Sequence, residues 1–179
     1  MRILLTSSLV AASLLVGGCG LRPLYANGSK GAVAQILADV DVAPIEGHNG
    51  WLVRNALRDR LQATQGGQGN GKRLRLDVRL EDSITGFGVR ADDAVTRERR
   101  TLRARYQLVD AASGEVVLDA TAFSDAGIDV VGSEYATIAA ESSALERLAS
   151  AVADQIVTRL AVFADRGGAS KTAPPLAGQ

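Results

Sequence analysis

A single cysteine, a single histidine and a single tryptophan serve a chain of 179 residues. One cysteine cannot close an internal disulfide, nor build a zinc site from clustered thiolates. The one histidine, His48, lies in the Gly-flanked turn Gly47-His48-Asn49-Gly50. A Ser-His-Asp or Cys-His system needs its histidine beside a nucleophile, and a turn histidine is ordinarily solvated. No catalytic constellation is expected, and no metal or cofactor site. Gly86-Phe87-Gly88 does not continue into a phosphate-binding fingerprint. Asp92-Asp93 supplies too few oxygen ligands for a cation loop and reads as a solvated hairpin tip. Aromatics are only 4% of the residues, so the core must be aliphatic. Net charge is zero, without the basic bias of a nucleic-acid binder. No apolar run reaches the ~20 residues of a membrane-spanning helix.

What is present begins at the N-terminus. Met1-Arg2 is a short positive region, and Ile3 to Val16 is mostly apolar, the length of a signal-peptide core. Cys19 ends this stretch. It is open to reading as a nucleophile, a metal ligand, a buried filler or an attachment point. Val16-Gly17-Gly18-Cys19 is similar to the bacterial lipobox. That resemblance implies thioether attachment of a diacylglycerol at Cys19, cleavage before it and acylation of the new amino terminus. Several acyl chains would hold the protein at the membrane, where one chain holds only marginally. Gly20 follows the cysteine, where inner-membrane lipoproteins often carry Asp, so it favours the outer membrane. Residues 1–18 are then signal peptide, 19–33 a lipidated tether, 34–165 an α/β domain and 166–179 a disordered tail.

Within the domain, Gln35 to Pro44 is expected as a first strand, from the partial alternation of Ile36, Val40 and Val42. Asn49 is expected to cap a helix bearing Val53, Ala56, Leu57, Arg60 and Leu61 at helical spacing. A Gly-rich loop spans 66–71. Arg73 to Glu81 alternates strictly, with Leu74, Leu76, Val78 and Leu80 on one parity. Thr85 to Asp93 is a connection. A strand from Thr96 to Val109 follows, then a turn at 110–114 and a third meander strand from Glu115 to Phe123. Ser133 is a good N-cap for a long helix to Asp165, striped by Ile138, Leu145, Leu148, Val152, Ile156, Leu160 and Phe163. The economical fold is α+β, a two-layer sandwich with two helices on one face of a four-stranded, mostly antiparallel sheet. The first helix is a crossover that makes the first two strands parallel.

The same alternation gathers arginines. Arg73, Arg75 and Arg79 share one parity on one strand, and Arg97, Arg99, Arg103 and Arg105 share one on the next. Arg100 has the opposite parity. Paired strands place both sets on the face away from the helices. Two readings stand: a solvated face whose charges discourage aggregation, or a cationic face for an anionic ligand or an acidic wall, since Arg forks match phosphate bidentately. An outer-membrane lipoprotein favours the second.

Three stretches carry a family likeness. They are Cys19-Gly20-Leu21-Arg22-Pro23-Leu24-Tyr25, "TRERRTLRARYQLVD" from Thr96 to Asp110, and "YATIAAESSALERLASAVADQIVTRLAVF" from Tyr135 to Phe163. In this order they resemble the LptE-type lipoproteins of lipopolysaccharide assembly. The resemblance implies helices on a mostly antiparallel sheet, and a non-catalytic protein lipid-anchored on the periplasmic side of the outer membrane. It also implies a seat inside an LptD-like outer-membrane β-barrel as a plug, help in assembling that barrel, and assistance to lipopolysaccharide insertion into the outer leaflet. Arg97, Arg99, Arg100, Arg103 and Arg105, with Arg73, Arg75 and Arg79, are the candidates for contact with lipopolysaccharide or barrel. The rival expectation is a periplasmic lipoprotein serving an ABC-type lipid transporter.

Overall fold

Alternation decides the centre of the molecule. In the computed structural model, which describes residues 32–63, 74–89, 95–130 and 132–171, Leu74, Leu76, Val78, Leu102, Ala104, Tyr106 and Leu108 are all buried. Their chain neighbours Arg75, Arg79, Arg103 and Arg105 are exposed. Successive strand side chains point to opposite faces, so one sheet face is core and the other meets solvent.

The elements are α1 (Ala32–Ala38), β1 (Val40–Val42), α2 (Gly47–Ala63), β2 (Leu74–Val89), β3 (Val95–Asp110), β4 (Val116–Asp129) and α3 (Glu134–Lys171). The sheet order is β1-β2-β3-β4. β1 runs parallel to β2 with Val40 beside Leu74, as a crossover through α2 requires. β2, β3 and β4 form an antiparallel meander. The fold is the expected α+β sandwich, with α2 and α3 closing one core over the sheet. Fully buried Leu57, Val152 and Ile156 each contribute roughly 1.5–3 kcal/mol by leaving water.

The start of the domain corrects the expected strand over 35–44. Val33, Ala34 and Leu37 are buried, the spacing of a helical stripe, and AVAQILA is a strong helix former. Only Val40–Val42 remains as strand, with Asp41 outward between two buried valines. α2 begins at Gly47 rather than after Asn49, so Asn49 is not its cap. Its Nδ2 donates instead to Asp82 Oδ2 at 2.6 Å, tying the helix to β2. Gly50 lies where a Cβ would stand 2.6 Å from the Ile45 carbonyl oxygen, so no larger residue fits.

β2 continues to Val89, well past Glu81, and Ser83 to Gly88 are exposed on both faces. Alternation fades there because no helix among the described residues covers the strand. The ladder to β3, from Ile84 beside Arg100 to Val89 beside Val95, keeps it extended. β4 likewise runs to Asp129, beyond Phe123. Between β3 and β4, Asp110 Oδ1 accepts the N–H groups of Ala112 at 2.9 Å and Ser113 at 3.2 Å. Gly114 then takes φ +73°, which a residue with a Cβ rarely adopts.

Ser133 caps α3, its Oγ accepting the Ala136 N–H at 3.5 Å. The expected stripe is buried from Leu145 to Leu160, and Phe163 is half-buried. Ile138 is 56% exposed, because the first turns of α3 stand clear of the sheet. The helix passes Asp165 and runs to Lys171, since propagation adds one bond per residue once a helix is nucleated. Among the described residues no helix is long and apolar enough to cross a membrane. Residues 166–171 of the expected disordered tail are thus helical, and Cys19, Arg73, Asp92-Asp93, the loop at 66–71 and the rest of the tail, 172–179, lie outside the described residues.

Candidate functional site

Register lays out the open face in rows across β2, β3 and β4. Arg79 stands beside Arg105 and Arg105 beside Thr121; Glu81 stands beside Arg103 and Arg103 beside Phe123. Towards the hairpin tip come Thr85, Arg99 and Gly127, then Phe87, Arg97 and Asp129. The sheet thus brings Arg75, Arg79, Arg97, Arg99, Arg103 and Arg105 onto one surface.

These arginines are not equivalent. Arg75 donates to both carboxylate oxygens of Asp77, at 3.0 Å to Oδ1 from Nε and at 3.0 Å to Oδ2 from Nη2. Arg97 Nε pairs with Asp129 at 2.9 Å. Arg99 lies 3.8 Å from Asp125 and sits over the Phe87 ring at 5.7 Å. Arg105 reaches Asp119 at 3.4 Å. Arg79 and Arg103 have no ion pair or hydrogen bond among the described residues. Arginines with carboxylate partners therefore flank two that make no ion pair among the described residues.

Those two line a shallow depression of about 640 Å³, together with Glu81, Arg105, Asp119 and Thr121. Arg79 and Arg105 are directly opposed on neighbouring strands, where like charges destabilise a sheet. Asp119 offsets part of that repulsion. The Gln107 amide donates to it at 2.8 Å, and this bond, with the Arg105 guanidinium, holds its carboxyl below the ordinary range. The carboxylate stays ionised and keeps Arg105 occupied. What is left is a two-guanidinium seat, suited to an anion with several oxygens.

Arg100 belongs elsewhere. Its parity turns it under the helices, where Nε and Nη2 donate to Asp82 at 3.0 and 2.5 Å and Nη1 donates to the Glu141 carbonyl at 2.9 Å. The Asp82 carboxylate raises the guanidinium pKa further above its ordinary value. This cluster holds β2, β3, α2 and α3 together. His48 is exposed in the first turn of α2 and stacks on Trp51 with ring centroids 6.3 Å apart. It makes no hydrogen bond among the described residues.

Gln107, Asp119, Thr121 and Phe123 complete the site and were not singled out by sequence reasoning. Gln107 shares the parity of Arg103 and Arg105 on β3, and the signal for the other three is the odd-numbered spacing on β4, visible once β4 is known to pair with β3.

The family model described as LptE: Lipopolysaccharide-assembly matches residues 37–160. A lipoprotein from Caulobacter crescentus CB15 is similar in structure, with TM-score 0.58 and 28% identity, covering 75% of this chain and 98% of that one. Rare lipoprotein B from Shewanella oneidensis superposes with TM-score 0.56 at 8% identity over 72% of this chain and 99% of its own. A minor lipoprotein from Acinetobacter baumannii gives 0.54 at 16% identity, over 71% and 93%. The last two likenesses are of fold alone. No curated protein sequence matches the chain.

Proposed function

The chain belongs to the LptE family of lipopolysaccharide assembly, and from that premise we propose an outer-membrane lipoprotein, anchored through Cys19 on the periplasmic side, that plugs an LptD-like β-barrel, helps to assemble it, and presents Arg79 and Arg103 to lipopolysaccharide phosphates. It does so without catalysis. The observation that supports this reading is the contrast on the open face: Arg75, Arg97, Arg99 and Arg105 each have an ion-paired carboxylate, whereas Arg79 and Arg103, the latter beside Glu81 in register, make no ion pair among the described residues. A barrel lumen is polar, and a charged sheet face suits that wall better than a lipid-facing surface.

The test has two parts. Purification of the chain from outer membranes is expected to recover one large barrel protein. Recovery of inner-membrane transporter subunits alone would overturn the barrel assignment and favour the ABC-transporter reading. Arg79→Gln with Arg103→Gln is expected to weaken binding of purified lipopolysaccharide by about tenfold or more, as the loss of charge-assisted bonds implies, with the fold retained by circular dichroism. Unaltered binding would remove these arginines from the site.

A further inference from the structure

The sheet ends in two very different edges. β1 is three residues long. β4 has fourteen residues, and among the described residues no strand lies on its outer side. Main-chain groups alternate in direction along an antiparallel strand. The Val130 N–H donates inward to the Thr96 carbonyl at 2.9 Å, so even-numbered residues turn to β3 and the odd ones, Asp119 to Asp129, turn outward. An edge of this length is a template for another strand.

A side chain occupies the middle of that edge. Gln155 of α3 donates from Nε2 to the Phe123 carbonyl at 3.0 Å and accepts the Phe123 N–H on Oε1 at 3.3 Å. These are the two bonds a residue of a neighbouring strand would make. The amide splits the outward groups into two short stretches, Asp119 with Thr121, and Asp125 to Asp129.

We propose that β4 is a latent pairing surface for a second copy of this chain, and that Gln155 holds it shut. The side chains fit a two-fold axis at Phe123. With Phe123 opposite its twin, Thr121 faces Asp125 and Asp119 faces Gly127 on the open face, while Leu118 faces Ile128 and Ala120 faces Ala126 on the other. No two carboxylates meet. Phe123, which is 57% exposed, gains an aromatic partner. Moving the axis to Asp125 would set two carboxylates against each other, and moving it to Thr121 would set Phe123 against Asp119, so the Phe123 axis is the most favourable of the three.

Sedimentation of the full-length chain in density-matched detergent tests this, comparing wild type with Gln155→Ala and Gln155→Glu. The wild type is expected to be monomeric. Gln155→Ala is expected to dimerise about tenfold more tightly or better, since two main-chain groups lose their competitor. Gln155→Glu keeps an acceptor but loses the donor, and is expected to fall between. Adding Phe123→Asp sets two carboxylates across the axis and is expected to return Gln155→Ala to monomer. A wild-type dimer, a Gln155→Ala monomer at every concentration reached, or association that Phe123→Asp leaves intact each overturns the proposal. Circular dichroism separates pairing from unfolding. If Gln155→Ala does not fold, Gln155→Glu decides alone, and a mass equal to wild type overturns the proposal.

Discussion

Arg100 and Arg103 share β3 and differ in face, and that difference divides the molecule. On the covered face, Arg100 and Asp82 are 12% and 16% exposed and are bonded by two hydrogen bonds, with Asn49 and the Glu141 carbonyl completing the cluster. On the open face, Arg97 and Asp129 make a pair of the same chemistry at 63% and 73% exposure. Arg103, on that same face, has no partner among the described residues. Residue type is constant across these cases. Strand parity decides whether an arginine holds the fold together or offers its charge to something else.

The largest effect expected from breaking this contrast lies under the helices. Arg100→Ala leaves the Asp82 carboxylate largely out of water with only Asn49 as donor. Breaking a buried pair by removing one partner costs about 3–5 kcal/mol, and the residual exposure puts this case near the low end, about 3 kcal/mol. Denaturant unfolding is the measurement. A cost as small as that of an open-face pair would erase the distinction between the faces.

That distinction was legible in the sequence wherever the core imposes period two. The leucines of β2 and the arginines of both strands alternate because one face is buried, so the open face and the odd placement of Arg100 follow from counting. The pairing of the β3 arginines is not legible there, because it depends on which carboxylate of β4 lies opposite or diagonal to each, and β4 alternates weakly. Small Ala120, Ala122 and Ala126 and polar Ser124 fill its covered face under α3. The hairpin tip was missed for the opposite reason: Ser83 to Gly88 bury neither face, so only the ladder marks them as strand. α1 was missed because Ile36, Val40 and Val42 span a helix and a strand and mimic alternation.

A pair of intermediate exposure sharpens the comparison through pH. Arg60 of α2 bonds Asp154 of α3 through both nitrogens of its fork, and its Nη2 also reaches Ser150 Oγ at 2.7 Å. The Arg60 hydrogen bond, opposed by partial burial, holds the Asp154 carboxyl below its ordinary value. A folded pKa below the unfolded one, ~3.9, contributes stability that is fully present above the unfolded pKa and lost as pH falls through the folded one. With Asp154 at 64% side-chain exposure, screening limits the pair to about 1 kcal/mol or less. Asp154→Asn is therefore expected to cost that much at neutral pH and to converge with wild type in acid. Urea unfolding from pH 7 to pH 2 checks it, and a gap that widens in acid would contradict the sign.

The smallest effect is expected on the rim of the open face. Arg97→Ala removes one exposed pair, and such pairs are typically worth 0.2–1 kcal/mol, many of them nothing measurable. The variant should unfold within about 0.5 kcal/mol of wild type. The residual difference should vanish in 1 M salt, where the screening length falls to about 3 Å. A salt-resistant loss comparable to that of Arg100→Ala would make the rim structural. Arg79 and Arg103 would then no longer be set apart by what their neighbours lack, because unpaired charge on a face that itself holds the fold is as readily explained by packing as by a ligand. A loss that salt removes leaves the two central arginines distinguished by having no ion-paired anion among the described residues, and a phosphate-bearing ligand would supply that anion.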